Sequence, residues 1–600
     1  MRPRHASRPG RLPTDPRTEE ILGVHHIGSR PRRKSLYRDP VRSGVPASST
    51  RKYALQNAIF HGGKANPKAV LGKVLAEEPA RRADAKRTAE EVARVVEEVN
   101  RLGLEAQRAE LAAIAPELLE KPRAATEARE LPPLPDAVEG HVVLRLAPYP
   151  SGPLHIGNAR AFLLNDAYAK RYRGRLLLVF DDTIGSEEKP ILPDAYDQVK
   201  EGLDWAGVTY HEVLYKSDRI PVHYEWAERL LATGEAYVCE CDGEALRRNR
   251  EAGRACAHRG QHVDETIAMW KAMLSGEYGE GEAVVRLKTD MAHPNPAFRD
   301  RVLFRIADRE HPRVGTRYRV WPLLEFSWAV DDHLLGITHV IRGKDLVMED
   351  MMEDWIWDVL GVSRRPRFVH FGILRFRDLE LSKSRYRRLI AEGKLAGIDD
   401  PRTWSLQSLR RRGIRPAALR DFVLSFGLSL TDIEVAAETL YAENRARIDK
   451  DANRYFFVPD PVSVEIDGLP AVRVVKAPLH PDFPGRGERE IPIDGKIQVA
   501  GEDFAKFRGK EIRLKDFCNV VLDRRSRFVS MENKDIPKIQ WVDHGFPTRV
   551  VMPDGSEARG LSEPAVASLK TDGVVQFERF GFVRIDHVSR SEVRAYFAHR

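Results

Sequence analysis

Residues 141–158, HVVLRLAPYPSGPLHIGN, limit what this chain can fold into more than any other stretch. The run from His141 to Ala147 is rich in branched apolar residues and reads as a buried strand. Pro148, Pro150, Gly152 and Pro153 end it in a turn. From near His155 the spacing through ARAFLLNDAYAKRY predicts a helix. A strand, a tight turn and a helix N-terminus make an anion site, because first-turn N–H groups lack partners within the helix. Gly152 and Gly157 would let backbone and ligand approach closely. The common Gly-rich phosphate loops are absent, so a histidine and small residues take their place. A second H-I-G, His26-Ile27-Gly28, has no strand before it and Pro/Arg-rich sequence after it, and reads as chance.

Six hundred residues suggest about three to five domains. The net charge of +8 is unevenly placed. Residues 1–52 hold 13 Lys/Arg against four Asp/Glu, a charge of +9, which leaves −1 for the other 548. Nucleic-acid contact by the folded body would therefore rest on local patches rather than a global field. One candidate is Arg410, Arg411, Arg412 and Arg415; the competing reading is a solvated helix face. No apolar run approaches the ~18 residues of a membrane span, so a cytoplasmic protein is expected.

Composition shifts divide the chain. Residues 1–50 read as a disordered basic tail, or alternatively as an arm for RNA phosphates. Residues 51–128 predict a helical appendage, with Asn66-Pro67 as a helix start and Val92, Val95, Val96, Val99 and Leu102 at helical spacing. After a Pro-rich linker, 140–236 alternates strand and helix as βαβ units do, and a second strand, Arg175–Phe180, ends in Asp181-Asp182-Thr183. Residues 237–312 read as an insertion, and 313–390 as the second half of the same α/β fold. Residues 391–445 look helical, and 446–600 alternates as short strands, which predicts β-barrels. Within the insertion, Cys239-x-Cys241 and Cys256-x-His258 offer three thiolates and one imidazole. That is a closed tetrahedral zinc set, the alternative being unmetallated thiols.

Pro148-Tyr149-Pro150-Ser151-Gly152 with His155-Ile156-Gly157-Asn158 resembles the first nucleotide-binding motif of class I aminoacyl-tRNA synthetases, with Asn158 at the family's second histidine. Leu381-Ser382-Lys383-Ser384 resembles the second, the K-M-S-K-S loop, with Glu380 at its first lysine. KYALQNAIFHGGKANPKAVLGKVL resembles the N-terminal appendage of archaeal-type glutamyl enzymes, and IDDPRTWSLQSLRRRGI the helical region of the glutamyl/glutaminyl subgroup. The resemblance covers roughly 52–600. It implies a multidomain α/β protein: a Rossmann-type catalytic domain, an inserted acceptor-binding domain and C-terminal β-barrels that bind the anticodon. Its β-rich tail implies the archaeal/eukaryotic branch.

The activity implied is ligation of glutamate to tRNA(Glu) through an adenylate, with ATP and Mg²⁺, by a monomer; one structural Zn²⁺ is expected from the cysteine and histidine set above, with unmetallated thiols as the alternative. Activation by in-line attack on the α-phosphate needs donors for growing phosphate charge. His155 can supply one donor, and Lys383 a point charge to the leaving pyrophosphate. The expected ATP site is Pro148, Gly152, His155, Gly157, Asn158, Ser382, Lys383 and Ser384. For the amino acid the expected set is Arg145, Ala147, Asp181 and Arg342. Asp181 would pair with the α-ammonium. By the resemblance, Arg342 would pair with the substrate's side-chain carboxylate, and glutamine-specific members lack that arginine. An internal ion pair of Arg342 with Asp331 or Asp332 is the competing reading. Val179 and Leu324 depart from the family's arginine and tyrosine in this pocket. The rival functions are a glutaminyl-tRNA synthetase and a catalytically silent tRNA-binding paralogue.

Overall fold

The computed structural model describes residues 49–60, 62–78, 81, 84–119, 130–185 and 189–600. The expected basic tail lies almost wholly outside them. Contacts divide the chain into two units, Met1–Ala125 and Thr126–Arg600.

The first unit contains the helices Ser49–Phe60, Pro67–Glu77, Ala85–Arg101 and Leu104–Ile114. The Asn66 side chain accepts from the Lys68 N–H at 2.9 Å, and Pro67 occupies the first helical position, where a missing N–H is harmless. Val92, Val96 and Val99 bury one face of the third helix against Leu55, Val70, Val74 and Leu111.

In the second unit, strands Val143–Leu146, Arg175–Phe180 and Glu212–Tyr215 pair in parallel. Strands His339–Gly343 and Arg367–Phe371 form a second parallel pair. Thr338 joins the two sets: its N–H donates to the Val143 carbonyl at 3.0 Å, and its Oγ1 accepts from the Val143 N–H at 2.9 Å. By residue the resulting order is 212–215, 175–180, 143–146, 339–343, 367–371. The strand order reverses at 143–146, which in open α/β folds is where ligands bind. Runs such as Leu176–Phe180 are apolar throughout because helices cover the sheet's faces; Ala159–Arg171 packs Phe162, Leu163 and Leu164 into that core.

Between the halves, strands Ala236–Cys239, Val284–Leu287, Val302–Ile306 and Val320–Pro322 form an antiparallel sheet in that order. Its core is shared with helices Ile220–Ala232, Val263–Ser275, Leu324–Leu334 and Val347–Val359 through Leu230, Trp270, Phe326 and Trp357. Beyond the catalytic halves come helices Lys383–Ala391, Leu406–Arg411, Pro416–Leu424 and Ala437–Ile448. The remainder forms two seven-stranded sheets and a hairpin, Val474–Pro478 with Glu488–Pro492.

The cluster Arg410, Arg411, Arg412 and Arg415 divides: Arg410 and Arg415 are exposed, Arg411 is half-buried and Arg412 is buried. Arg410 pairs with Glu201 at 3.3 Å, and Arg411 with Asp399 at 2.6 Å. Arg412 is fully buried: it donates to the Ala598 carbonyl and the Tyr441 hydroxyl, both at 2.8 Å, and stacks on Trp404 at 4.7 Å. Arg411 and Arg412 thus tie the connecting helices to strand Val593–His599, while Arg410 and Arg415 stay exposed.

Candidate active site

A cavity of about 860 Å³ opens at the C-terminal ends of the first two strands. Ala147, Pro148, His155, Asn158, Asp181, Lys383 and Ser384 line it. Gly152 lies in an adjoining pocket of about 150 Å³, again beside His155 and Lys383. The two motif segments, more than 220 residues apart in the chain, therefore meet on one surface. Gly152 has φ +142°, a region that favours glycine. At Gly157 an added Cβ would lie 3.0 Å from the His155 ring and 3.1 Å from Leu381, so glycine here permits the motif segments' close approach.

The turn differs from its sequence reading in one chemical respect. Residues 156–158 form a 3₁₀ turn before the α-helix begins at Ala159, and the turn's amides already have partners. The His155 N–H donates to Asn158 Oδ1 at 3.1 Å, Ile156 to the Trp404 carbonyl at 3.1 Å, Gly157 to His155 Nδ1 at 3.1 Å, and Asn158 to the His155 carbonyl at 2.8 Å. The expected cradle of unpartnered N–H groups at 155–158 is absent. The groups left to meet an anion at this turn are the side chains of His155 and Lys383, which line the cavity. Trp404, whose carbonyl fixes Ile156, holds a left-handed φ of +51°, a costly conformation for an aromatic residue that the fold here imposes. Asn158 is thus a cap, its carbonyl oxygen spent on the backbone.

Burial, and then the nearby Lys383 charge, pull the His155 imidazole down to about 4, so the ring is neutral at pH 7. With Nδ1 accepting from Gly157, the proton sits on Nε2. Lys383 begins the helix Lys383–Ala391 rather than lying in a loop; Ser382 caps it, its Oγ accepting from the Arg385 N–H. Lys383 Nζ donates to the Gly152 carbonyl at 3.4 Å, and burial pulls its ammonium down to about 8. Glu380 pairs with Arg385. Raising pH through 8 discharges free Lys383. If its charge holds phosphate, kcat/KM for ATP should fall above pH 8, by about tenfold per unit, while kcat holds to higher pH. A flat kcat/KM to pH 10 would refute that role.

The expected amino-acid residues lie in two layers. Asp181 and Ala147 reach the cavity; Arg145 and Arg342 do not. Arg145 pairs bidentately with Asp332, at 2.5 and 2.8 Å. Arg342 pairs with Asp350 and with Glu353, the latter at 2.7 Å, not with Asp331 or Asp332. Its Nη1 is buried and has no hydrogen-bond partner. Lys216, fully buried, lies 3.0 Å from Asp181 and donates to Ser327 at 2.6 Å. Sequence reasoning missed Lys189, Arg305 and Trp328, which also line the cavity. Arg305 sits on the inserted strand Val302–Ile306, so only the fold brings it here.

Cys239, Cys241, Cys256 and His258 converge, with ligand atoms all within 4.8 Å of one another. Sγ of Cys239 lies 3.8 Å from Sγ of Cys256 and 3.8 Å from His258 Nδ1, and Cys241 Sγ is 3.6 Å from that Nδ1. A zinc tetrahedron with ~2.3 Å Zn–S bonds has S···S edges of about 3.8 Å, so the donor set fits the ion. Glu240 lies 3.4 Å from His258 Nε2, where a carboxylate would orient the ring with Nδ1 toward a metal.

The profile described as "tRNA synthetases class I (E and Q), catalytic domain" matches residues 141–450. Two described as the anti-codon binding domain of the same group match 452–540 and 534–586. The sequence is 46% identical over 567 residues to the glutamate–tRNA ligase of Pyrococcus abyssi, covering 92% of this chain and 99% of that protein. It is 44% identical over 568 residues to that of Thermococcus onnurineus, with the same coverage, and 42% over 564 to that of Methanosarcina mazei, covering 92% and 98%. On these matches and on the fold that carries them, the chain belongs to the class I tRNA synthetases of the E and Q group.

Proposed function

We propose that this chain is a glutamate–tRNA ligase that activates L-glutamate with ATP and transfers the glutamyl group to tRNA(Glu). The observation that carries this reading is the meeting of His155, Lys383 and Ser384 with Asp181 on one cavity, in a chain nearly coextensive with relatives named for that activity. In the first step a glutamate carboxylate oxygen attacks the α-phosphorus, and the bond to pyrophosphate breaks. The His155 Nε2–H donates to phosphate oxygens without carrying charge, and Lys383 neutralises the leaving pyrophosphate. Mg²⁺ enters with ATP. In the second step a terminal ribose hydroxyl of the tRNA attacks the adenylate carbonyl and AMP departs. Asp181 receives the α-ammonium in place of Lys216, Ala147 forms the wall beside it, and the unpartnered Arg342 Nη1 receives the side-chain carboxylate, with Arg145 behind. Glutamine would set amide N–H groups against that guanidinium, at a cost of ~1–3 kcal/mol.

The insertion would hold the acceptor end of the tRNA and the C-terminal sheets its anticodon. Among the described residues no helix is long and apolar enough to cross a membrane; a cytoplasmic location and a monomeric state are part of the proposal. Cys239, Cys241, Cys256 and His258 would hold a structural Zn²⁺, since four protein ligands leave no open position. About one zinc per purified chain is expected, and removing it with a strong chelator should lower the melting temperature by several degrees. No bound metal and an unchanged melt would remove zinc from the proposal. The activation step is tested by exchange of labelled pyrophosphate into ATP. Exchange is expected with glutamate and tRNA(Glu) both present; no exchange under that condition would contradict the reading.

A further inference from the structure

Trp328 stands between the cavity and the residues assigned to the substrate's side chain. It lies on helix Leu324–Leu334, is 5% exposed, and lines the cavity. Three cations surround its indole: the Arg145 guanidinium at 5.1 Å from the ring centre, that of Arg342 at 5.0 Å, and Lys216 Nζ at 5.2 Å. Neither arginine reaches the cavity surface. Around Trp328 the polar atoms shut from solvent with no hydrogen-bond partner include its own Nε1, Arg342 Nη1 and Glu353 Oε2. An orphaned buried polar atom costs ~1–3 kcal/mol, and native proteins carry few. Two of these sit on the guanidinium and carboxyl of one pair, so an entering polar group would meet a donor and an acceptor with no partner to give up.

We infer that Trp328 is a gate: its indole plugs a subsite lined by Arg145, Lys216 and Arg342, each already paired with a buried carboxylate, and swings aside to admit the acidic side chain of the amino acid. The inference rests on the glutamate reading above and deepens it. The closed gate is held by cation–π contact with the three cations. An incoming carboxylate competes by satisfying Arg342 Nη1, and the displaced indole frees its N–H from burial. Affinity for the amino acid is then reduced by the fraction of molecules that are closed. Asp181, on the cavity side of the plug, is open to the α-ammonium in either state. Trp328 is therefore a positioning residue that sets access, not a group that does chemistry.

The sign of one kinetic change separates this from a purely structural tryptophan. Replacing Trp328 with Val should lower the KM for glutamate about tenfold, the value for a gate open in about one molecule in ten. The KM for ATP, measured alongside, reports on the neighbouring phosphate site and should hold. A tryptophan that merely braces the two arginines would do the reverse: KM for glutamate would rise and kcat would fall. Trp328→Phe, which keeps most of the ring, serves if the Val variant does not fold; it should lower the same KM by a smaller factor, and a rise would overturn the inference. Independently, the full-length enzyme labelled with 5-fluorotryptophan should show the Trp328 ¹⁹F resonance, identified by its loss in Trp328→Phe, moving when glutamate is added with tRNA(Glu) and a non-hydrolysable ATP analogue. A resonance unmoved at saturating glutamate overturns the gate. Failure of the wild-type chain to attach glutamate to tRNA would instead overturn the function itself, so the two outcomes are distinct.

Discussion

Lys383→Ala is expected to slow glutamyl-adenylate formation by about 10²–10³-fold while leaving tRNA binding intact. The ammonium is held beside the phosphate turn, 3.4 Å from the Gly152 carbonyl, in a setting dry enough to pull it down to about 8. A charge in such surroundings acts on a phosphate far more strongly than it would in water. Because the turn's own amides at 155–158 are committed to protein acceptors, no backbone cradle substitutes for it. Single-turnover formation of the adenylate, with tRNA retention measured in parallel, checks this. Near-normal turnover would remove Lys383 from the chemistry.

Arg342→Lys should lower kcat/KM for glutamate by about 10²-fold, although it preserves the charge. Arg342 uses Nε and Nη2 on Asp350 and Glu353 and keeps Nη1 in reserve. A lysine ammonium cannot span that fork and also receive a third carboxylate. Burial pushes Glu353 up to about 8 against the restraint of Arg342, so its carboxyl already holds a proton at pH 7 and a weaker partner leaves no bare buried charge there; the fold should survive. Steady-state kinetics beside a melting curve separate the two effects. A kcat/KM within threefold of the wild type would show that substrate does not contact Arg342.

What could be read from the chain follows the range of the interactions concerned. The strand and helix around 141–171 are written locally, in an apolar run, three prolines and a helical period. The four zinc-type ligands lie within twenty residues, so spacing alone groups them. The commitment of the turn's amides was not legible, because the Ile156 acceptor is the carbonyl of Trp404. Arg411 and Arg412 read as a surface in sequence because their partners, Asp399, Tyr441 and Ala598, come from three other parts of the chain. Asp331 and Asp332 are the internal partners that the sequence reading offers Arg342. The fold instead sets Asp350 and Glu353, one turn apart on the following helix, against it. Trp328 reads as one more apolar residue in LEFSWAVDDHL; only the packing of that helix on strand Val302–Ile306 and helix Val347–Val359 turns it toward the cavity.

The central claim is that this chain attaches glutamate, and not glutamine, to tRNA. The direct measurement is acylation of purified tRNA(Glu) and tRNA(Gln) by the full-length protein with labelled glutamate or labelled glutamine and Mg-ATP. Attachment of glutamate to tRNA(Glu), with kcat/KM for glutamine at least about tenfold lower, is expected from the reserved Arg342 donor. Binding of tRNA without attachment of either amino acid, or attachment of glutamine at a comparable kcat/KM, would contradict it.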